Sequence, residues 1–407
     1  MTSPKNTIAC SSLFFFLTTL VAFTVGHLAT RSMSLMADEY AHFTAISKML
    51  QTGNFLPRTG LSSLWGYHWA IVFCTKLVHN NSIEMIRLFT TILSICCVAS
   101  FFFLAKTIDK DSAVQKAFSF LLLPAIFPFF FVIYTDVYAM MFVFLALFSA
   151  LKNRLWFSGF FGILGMLVRQ NNIIWLALIA SLVYFQNYYP QYRWPDVRQW
   201  IRKFLFYFLA LIALIVFAIW NKGFALDGRE HHHLTVNVGN LFLFLFLFFF
   251  IFLPQNLMNA RKMASFLGRH IYVGFILLVL FMVHVFFYDH YPQCNTFARF
   301  LHNWVVFWMT TPSFFLKTVT FLPVAYSILS LCVTPLQRKS FYLLYPFTAL
   351  SLIVLPIIEI RYTFIPFVLF LLFKQKDSAR VALVTLASYI VPIFLLMYLI
   401  WSGTFFP

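Results

Sequence analysis

Two adjacent carboxylates, Asp38 and Glu39, stand in the segment Met36-Ala-Asp-Glu-Tyr-Ala-His42, shortly after the first long apolar run of the chain. A carboxylate at such a boundary can take the proton from a sugar hydroxyl as the hydroxyl attacks, which is general-base catalysis, and partial burial raises its basicity. The plainer alternative is the solvated start of a loop. Far downstream, Glu359-Ile-Arg-Tyr362 lies where one apolar run ends and the next begins. The planar donor fork of Arg361 suits phosphate oxygens. Against that stand two simpler readings: Glu359 and Arg361 satisfy neighbouring helix ends, or Arg361 snorkels to the membrane surface. Arg169-Gln-Asn-Asn172 concentrates donors between two apolar segments and could hold sugar hydroxyls or a phosphate, although asparagine is also a common helix cap. Asp136, in Tyr134-Thr-Asp136, is either a second carboxylate at the same site or the N-cap of the run that follows it.

The elements that must position these groups are membrane helices. Of 407 residues, 62% are hydrophobic, 10% are charged and 56 are Phe, a balance from which no water-soluble surface can be made. A spanning helix needs roughly 20 mostly apolar residues, and such stretches recur along the whole chain. Hydropathy gives about 13 of them, centred near residues 18, 94, 126, 144, 162, 180, 212, 246, 279, 323, 349, 368 and 391. The fold class expected is an all-α polytopic protein, a single multi-pass domain over residues 1–407. The first run, Ile8 to His27, follows Lys5 without a clear small-residue cleavage pattern and is expected to be a retained first helix. Trp65 to Val78 is too short and too polar for a span and is expected to be interfacial or re-entrant. The segment 30–66, which carries the two acids, is expected to be the longest loop outside the membrane.

Basic residues give the topology. With a cytoplasmic amino terminus, the even-numbered spans end in loops holding Lys106, Lys110 and Lys116; Lys152 and Arg154; Arg193, Arg198, Arg202 and Lys203; Arg261, Lys262 and Arg269; Arg338 and Lys339; and Lys374, Lys376 and Arg380. The opposite face then receives Asp38-Glu39 with His42, Asp136, Arg169 to Asn172, Asp227 to His233, Asp289 to His302, and Glu359-Arg361. Nearly all the polarity that orientation does not explain falls on that face.

Other classes are disfavoured. The net charge of +17 is spread in small groups between apolar runs, so it indicates membrane orientation and no nucleic-acid partner. The six cysteines lack metal-ligand spacing, and most lie in apolar runs. Three consecutive histidines, His231-His232-His233, cannot easily converge on one ion. Asn80-Asn81-Ser82 is formally a glycosylation acceptor, but it sits close to the next span.

Taken in order, the polar segments resemble the dolichyl-phosphate-glucose-dependent alpha-1,2-glucosyltransferase family of the endoplasmic reticulum. Its Asp-Glu-x-x-His motif is matched by Asp38-Glu39-Tyr40-Ala41-His42 and its Tyr-Thr-Asp by Tyr134-Thr135-Asp136. Its Arg-Gln-Thr-Asn-Ile-x-Trp is matched by Arg169 to Trp175 with Asn171 replacing Thr, and its Glu-Pro-Arg-Tyr by Glu359-Ile360-Arg361-Tyr362 with Ile replacing Pro. The family's Gly-Asp-Arg-Ser-x-His loop is only approximated at Asp227 to His231, and its Asp-Asn-Arg-His-Tyr segment has no clear counterpart in Cys294 to Asn303.

The resemblance implies a GT-C-type fold of about 13 transmembrane helices with short lumenal loops. The donor would be dolichyl-phosphate-glucose and the acceptor a dolichyl-diphosphate-linked oligosaccharide, with transfer of a terminal glucose in alpha-1,2 linkage, with inversion and no cofactor. Asp38 is then the expected general base, with Glu39 as the alternate or an orienting partner, and Arg361 the group that stabilises the departing phosphate. His42, Asp136, Arg169, Gln170, Asn172, Glu359 and Tyr362 are the expected substrate-binding residues, and no metal is expected. The competing classes are a related GT-C transferase using another polyprenyl-phosphate sugar and a secondary transporter. A transporter would place its ionisable groups near the bilayer midplane, whereas here they fall at span ends.

Overall fold

The computed structural model describes residues 4–58, 60–187, 197–227, 236–288, 295–297 and 299–406. His231-His232-His233, Asp289 to Cys294 and Arg193 lie outside the described residues. The helices are α1 (Pro4–Thr30), α2 (Glu39–Thr52), α3 (Gly66–Val78), α4 (Ile83–Ile108), α5 (Ala113–Leu121), α6 (Asp136–Leu151), α7 (Leu155–Val168), α8 (Asn172–Asn187), α9 (Val197–Lys203), α10 (Leu205–Asn221), α11 (Gly239–Ile251), α12 (Leu253–Arg269), α13 (Ile271–Phe286), α14 (Leu301–Thr310), α15 (Phe314–Val333), α16 (Leu344–Ile353), α17 (Phe364–Phe373) and α18 (Ala379–Trp401). Among the described residues no strand occurs, only the isolated bridges Phe300–Phe406 and Leu336–Lys374. The described chain is therefore all-α, as the long apolar runs predict.

Four described helices are long and apolar enough to cross a membrane: Ser11–Thr30 of α1, α4, α15 and α18. Three of them begin at a serine whose hydroxyl accepts an N–H of the first turn: Ser82 from Met85, Ser313 from Leu316 and Ser378 from Val381. Their outer faces are apolar and bare, with Val391 71% and Phe394 72% exposed, as lipid-facing helices must be. Six shorter apolar helices accompany them: α6, α7, α8, α10, α13 and the stretch Ile360–Phe373.

The expected count of 13 full spans is not reproduced, and two of the expected centres show why. Around residue 126 the helix stops at Leu121, and the chain continues as turns and a short 3-10 segment, Phe127–Phe130. Pro124 and Pro128 remove backbone donors and exclude helix from the residues before them. From Leu123 to Thr135 this irregular backbone is buried, the condition under which non-helical chain is tolerated at membrane depth. Around residue 349, α16 has only ten residues and gives way to an extended stretch before Glu359.

The chain divides into two compact units, residues 1–121 with 126–233, and residues 122–125 with 234–407. In the first, α4 packs on α6 and α6 on α7, with the rings of Phe101, Phe120 and Phe144 meeting one another at 4.6–5.7 Å. In the second, α11 packs along α15, and Phe244, Phe248 and Phe252 meet Phe367 and Phe370 of α17. Edge-to-face and tilted rings fill these contacts, which is what the phenylalanine excess does structurally.

The segment 30–66 is not a plain loop, because it holds α2. Gly53 ends that helix in the left-handed conformation (φ 66°), returning its N–H to the carbonyl of Met49. Trp65 to Val78 does form a short helix, α3, and its first residue must be glycine: a Cβ on Gly66 would stand 2.8 Å from the carbonyl oxygen of Leu167 at the end of α7.

Candidate active site

In the first unit, Asp38 and Glu39 sit at the start of α2 but in opposite circumstances. Glu39 is wholly buried, and its carboxylate accepts four N–H donors: Arg87 Nε (3.1 Å) and Nη2 (2.7 Å), the backbone of Ile133 (2.8 Å) and that of Met36 (3.1 Å). Arg87, near the start of α4, commits its remaining donors to the carbonyls of Thr30, Met33 and Ser34. Every polar atom of this buried pair is thus satisfied, the condition that makes such a pair tolerable. Asp38 is half-buried and its side chain does not cap α2. Its backbone N–H donates to the hydroxyl of Tyr134 (3.1 Å).

Tyr134 begins the second motif, which leads into α6. Its neighbours reach the third motif: Arg169 donates from Nε to Thr135 Oγ1 (3.1 Å) and pairs through Nη1 with Asp136 Oδ1 (2.9 Å). Asp136 does not cap α6, since the helix begins at Asp136 itself. Its side chain is 4% exposed, and Oδ2 is a buried acceptor without a protein donor. Gln170 directs both Nε2 hydrogens to backbone carbonyls, those of Ser62 (2.8 Å) and Phe224 (3.0 Å). Asn172 likewise donates to the carbonyls of Gly165 (3.1 Å) and Ala139 (3.3 Å).

His42 lies one turn beyond Asp38 and is buried. Its Nδ1 is 3.0 Å from Nε2 of His68 in α3, and its ring packs edge-on to Tyr134. Burial pushes the His68 imidazole down to about 4, so it is neutral at physiological pH. Beside it, Tyr67 shares a 2.7 Å hydrogen bond with Thr90.

In the second unit, Arg361 Nε pairs with Glu359 Oε2 (3.2 Å), and His302 Nε2 stands 3.9 Å from the same oxygen. Glu359 and Arg361 side chains are 16% and 11% exposed. Asparagines hold the extended stretch beneath them. Asn240 donates to the carbonyl of Ile357 (2.8 Å) and accepts the N–H of Glu359 (2.9 Å). Asn295 brackets Ile358 through both its N–H and its carbonyl, and it also donates to Asn303. Tyr362 follows, half-buried, in the short 3-10 turn Ile360–Thr363.

Three of the four sequence motifs are therefore joined at the starts of α2, α6 and α8 through Asp38, Glu39, Asp136, Arg169 and Asn172, with His42 packed on Tyr134, while Gln170 bonds to Ser62 and Phe224. Glu359, Arg361 and Tyr362 belong to the other unit. Sequence reasoning missed Arg87, His68, Asn240, Asn295 and His302. For Arg87 the signal existed: an arginine inside the apolar run Ile83–Ile108 calls for a partner. Among the described residues no group of three or more His, Cys, Asp or Glu could hold a metal ion.

An all-helical chain with several helices long and apolar enough to cross a membrane has the architecture of a polytopic membrane protein. The DIE2/ALG10 family model matches residues 58–195, a stretch that contains the second and third motifs. The chain is similar to enzymes named Dol-P-Glc:Glc(2)Man(9)GlcNAc(2)-PP-Dol alpha-1,2-glucosyltransferase. With that of Candida albicans it is 25% identical over 168 residues, 38% of this chain and 37% of that protein. With that of Debaryomyces hansenii it is 24% identical over 154 residues, 33% of each. The matched stretches thus span about a third of the two yeast relatives. A Homo sapiens enzyme of the same name is 23% identical over 393 residues, 84% of this chain and 81% of that protein. The resemblance carried by the four motifs is thereby borne out, at low identity. Among solved structures, ArnT from Cupriavidus metallidurans in the apo state aligns with a TM-score of 0.44 and 14% identity, covering 96% of this chain and 76% of that one.

Proposed function

We propose that this protein is a membrane glucosyltransferase that moves glucose from dolichyl-phosphate-glucose to a dolichyl-diphosphate-linked oligosaccharide, forming the terminal alpha-1,2 linkage at the lumenal face of the endoplasmic reticulum membrane. The observation that carries this reading is the hydrogen-bonded assembly of the Asp-Glu-x-x-His, Tyr-Thr-Asp and Arg-Gln-Asn-Asn motifs, in a chain similar to those enzymes. In this reading the acceptor hydroxyl oxygen attacks the anomeric carbon of the beta-linked donor. The bond from that carbon to the phosphate oxygen breaks, dolichyl phosphate leaves, and the product is alpha-linked by inversion. Asp38 takes the hydroxyl proton. Glu39, held by Arg87, orients Asp38 and is not itself the base, since its oxygens are already occupied.

Asp136 and Arg169 line the sugar-binding part, with Asp136 Oδ2 offering a buried acceptor to a hydroxyl. Gln170 and Asn172 shape this part through the backbone and offer no amide hydrogen to substrate. His42 packs behind Tyr134 with His68. Arg361, paired with Glu359 and followed by Tyr362, has the donor fork that suits the oxygens of a phosphate.

The test uses microsomes lacking the endogenous terminal glucosyltransferase, supplied with dolichyl-phosphate-glucose. Wild type should enlarge the lipid-linked oligosaccharide by one glucose, and Asp38→Asn at equal abundance should not. If wild type adds no glucose while the earlier glycosylation steps run, the proposal is wrong, and another donor sugar or a transport role becomes the better reading.

A further inference from the structure

Helix α12 is amphipathic in the reverse of the usual sense. Its amide side chains face the protein: Gln255 donates to Thr334 Oγ1 (3.2 Å), Asn259 to Ser330 Oγ (3.1 Å) and Thr334 Oγ1 (2.9 Å), and Asn256 to the carbonyl of Phe249 (3.0 Å). Its outward face carries Leu257 and Met258, 59% and 61% exposed, followed by the exposed Arg261, Lys262 and Arg269. At 100° per residue those five fall within one arc of the helix, opposite Asn256, Asn259 and Met263.

The direction of α12 follows from its start. Pro254, in the first turn, cannot extend the helix of α11, and the chain bends by 97° at Phe252. Because α11 packs along the candidate span α15, with Ser327 Oγ donating to the carbonyl of Leu245 (2.7 Å), α12 leaves across the end of that span. Its partners Ser330 and Thr334 are the last residues of α15 and its cap. The exposed Arg338, Lys339 and Lys376 lie in adjoining chain, where Gln337 and Gln375 cross-link the segments after α15 and α17. No Asp or Glu occurs between residues 231 and 288.

We propose that α12 lies in the plane of the membrane surface and that Arg261, Lys262 and Arg269 bind the headgroups of anionic phospholipids, with Leu257 and Met258 seated among the acyl chains. Leucine and methionine beside arginine and lysine, on a helix turned across the end of a span, match an anionic bilayer surface in both polarity and charge.

The test reads binding directly, so it does not depend on any transferase activity. Purified protein in neutral detergent is titrated with dioctanoyl phosphatidylserine or dioctanoyl phosphatidylcholine, and bound lipid is counted by native mass spectrometry. Wild type should prefer phosphatidylserine, and the triple variant R261Q/K262Q/R269Q should lose affinity for it on the order of 100-fold. Wild type and variant should melt alike in phosphatidylcholine, which keeps the comparison on binding. If the triple variant does not fold, K262Q alone should lose roughly fivefold. Equal binding of the two lipids by wild type, or undiminished phosphatidylserine binding by the folded variants, overturns the proposal.

Discussion

Arg87→Met removes a side chain that ties the start of α2 to the end of α1. Five hydrogen bonds go at once: two to Glu39 and three to the carbonyls of Thr30, Met33 and Ser34. Glu39 keeps the N–H groups of Ile133 and Met36, but as a fully buried carboxylate it loses its counter-charge. Removing one partner of a buried pair costs roughly 3–5 kcal/mol. At about 1.4 kcal/mol per decade, that is two to more than three decades in the opening of residues 30–39. Hydrogen exchange reads this locally. The amides of Met36 and Ile133, which donate to Glu39, should exchange faster by that factor, while those of α18 should not change. Many buried pairs can be exchanged for apolar residues at little cost. This one cannot, because Arg87→Met with Glu39→Leu takes the donors from the carbonyls of Met33 and Ser34 and the acceptor from the N–H groups of Ile133 and Met36, so the double variant should be at least as open as either single. Unchanged protection of Met36 in Arg87→Met would show that the network does not hold the segment.

Two further outcomes follow from the same geometry. A histidine takes up its proton near pH 6.5, but burial holds His68 to about 4, so the unfolded chain binds a proton that the native chain refuses. The stability is fully present above pH 6.5 and is lost as pH falls toward 4, by about 3 kcal/mol in all. Melting at pH 7, 5.5 and 4.5 should decline accordingly, and His68→Phe should flatten the decline; an equal slope in the variant would exclude His68 as its source. Asn240→Ala leaves the carbonyl of Ile357 and the N–H of Glu359 unpaired, at roughly 1–3 kcal/mol for each buried group. The variant should melt lower, and unchanged melting would mean that Asn240 does not carry the stretch beneath Glu359.

What could be read from the sequence was whatever depends on local pattern. Long apolar runs gave α1, α4, α15 and α18, and serine before such a run marked three of their starts. The runs near 126 and 349 misled because hydropathy counts apolar residues and ignores their backbone. Pro124 and Pro128 break the first, and the second ends in an extended stretch that asparagines from elsewhere in the chain must satisfy. The motifs could be found one by one, but their partnership could not: Glu39 meets Arg87 across 48 residues and Arg169 meets Thr135 across 34.

The difference in surroundings between Asp38 and Glu39 was equally hidden, because the two are neighbours of the same chemical type. What separates them is the helix they begin. The first residue of α2 turns inward to a buried guanidinium, and the residue before it stays half-buried with its backbone fixed by Tyr134. A proton acceptor needs open lone pairs and a fixed position. Glu39 has a fixed position but, with four N–H donors on its two oxygens, no lone pair left for a proton.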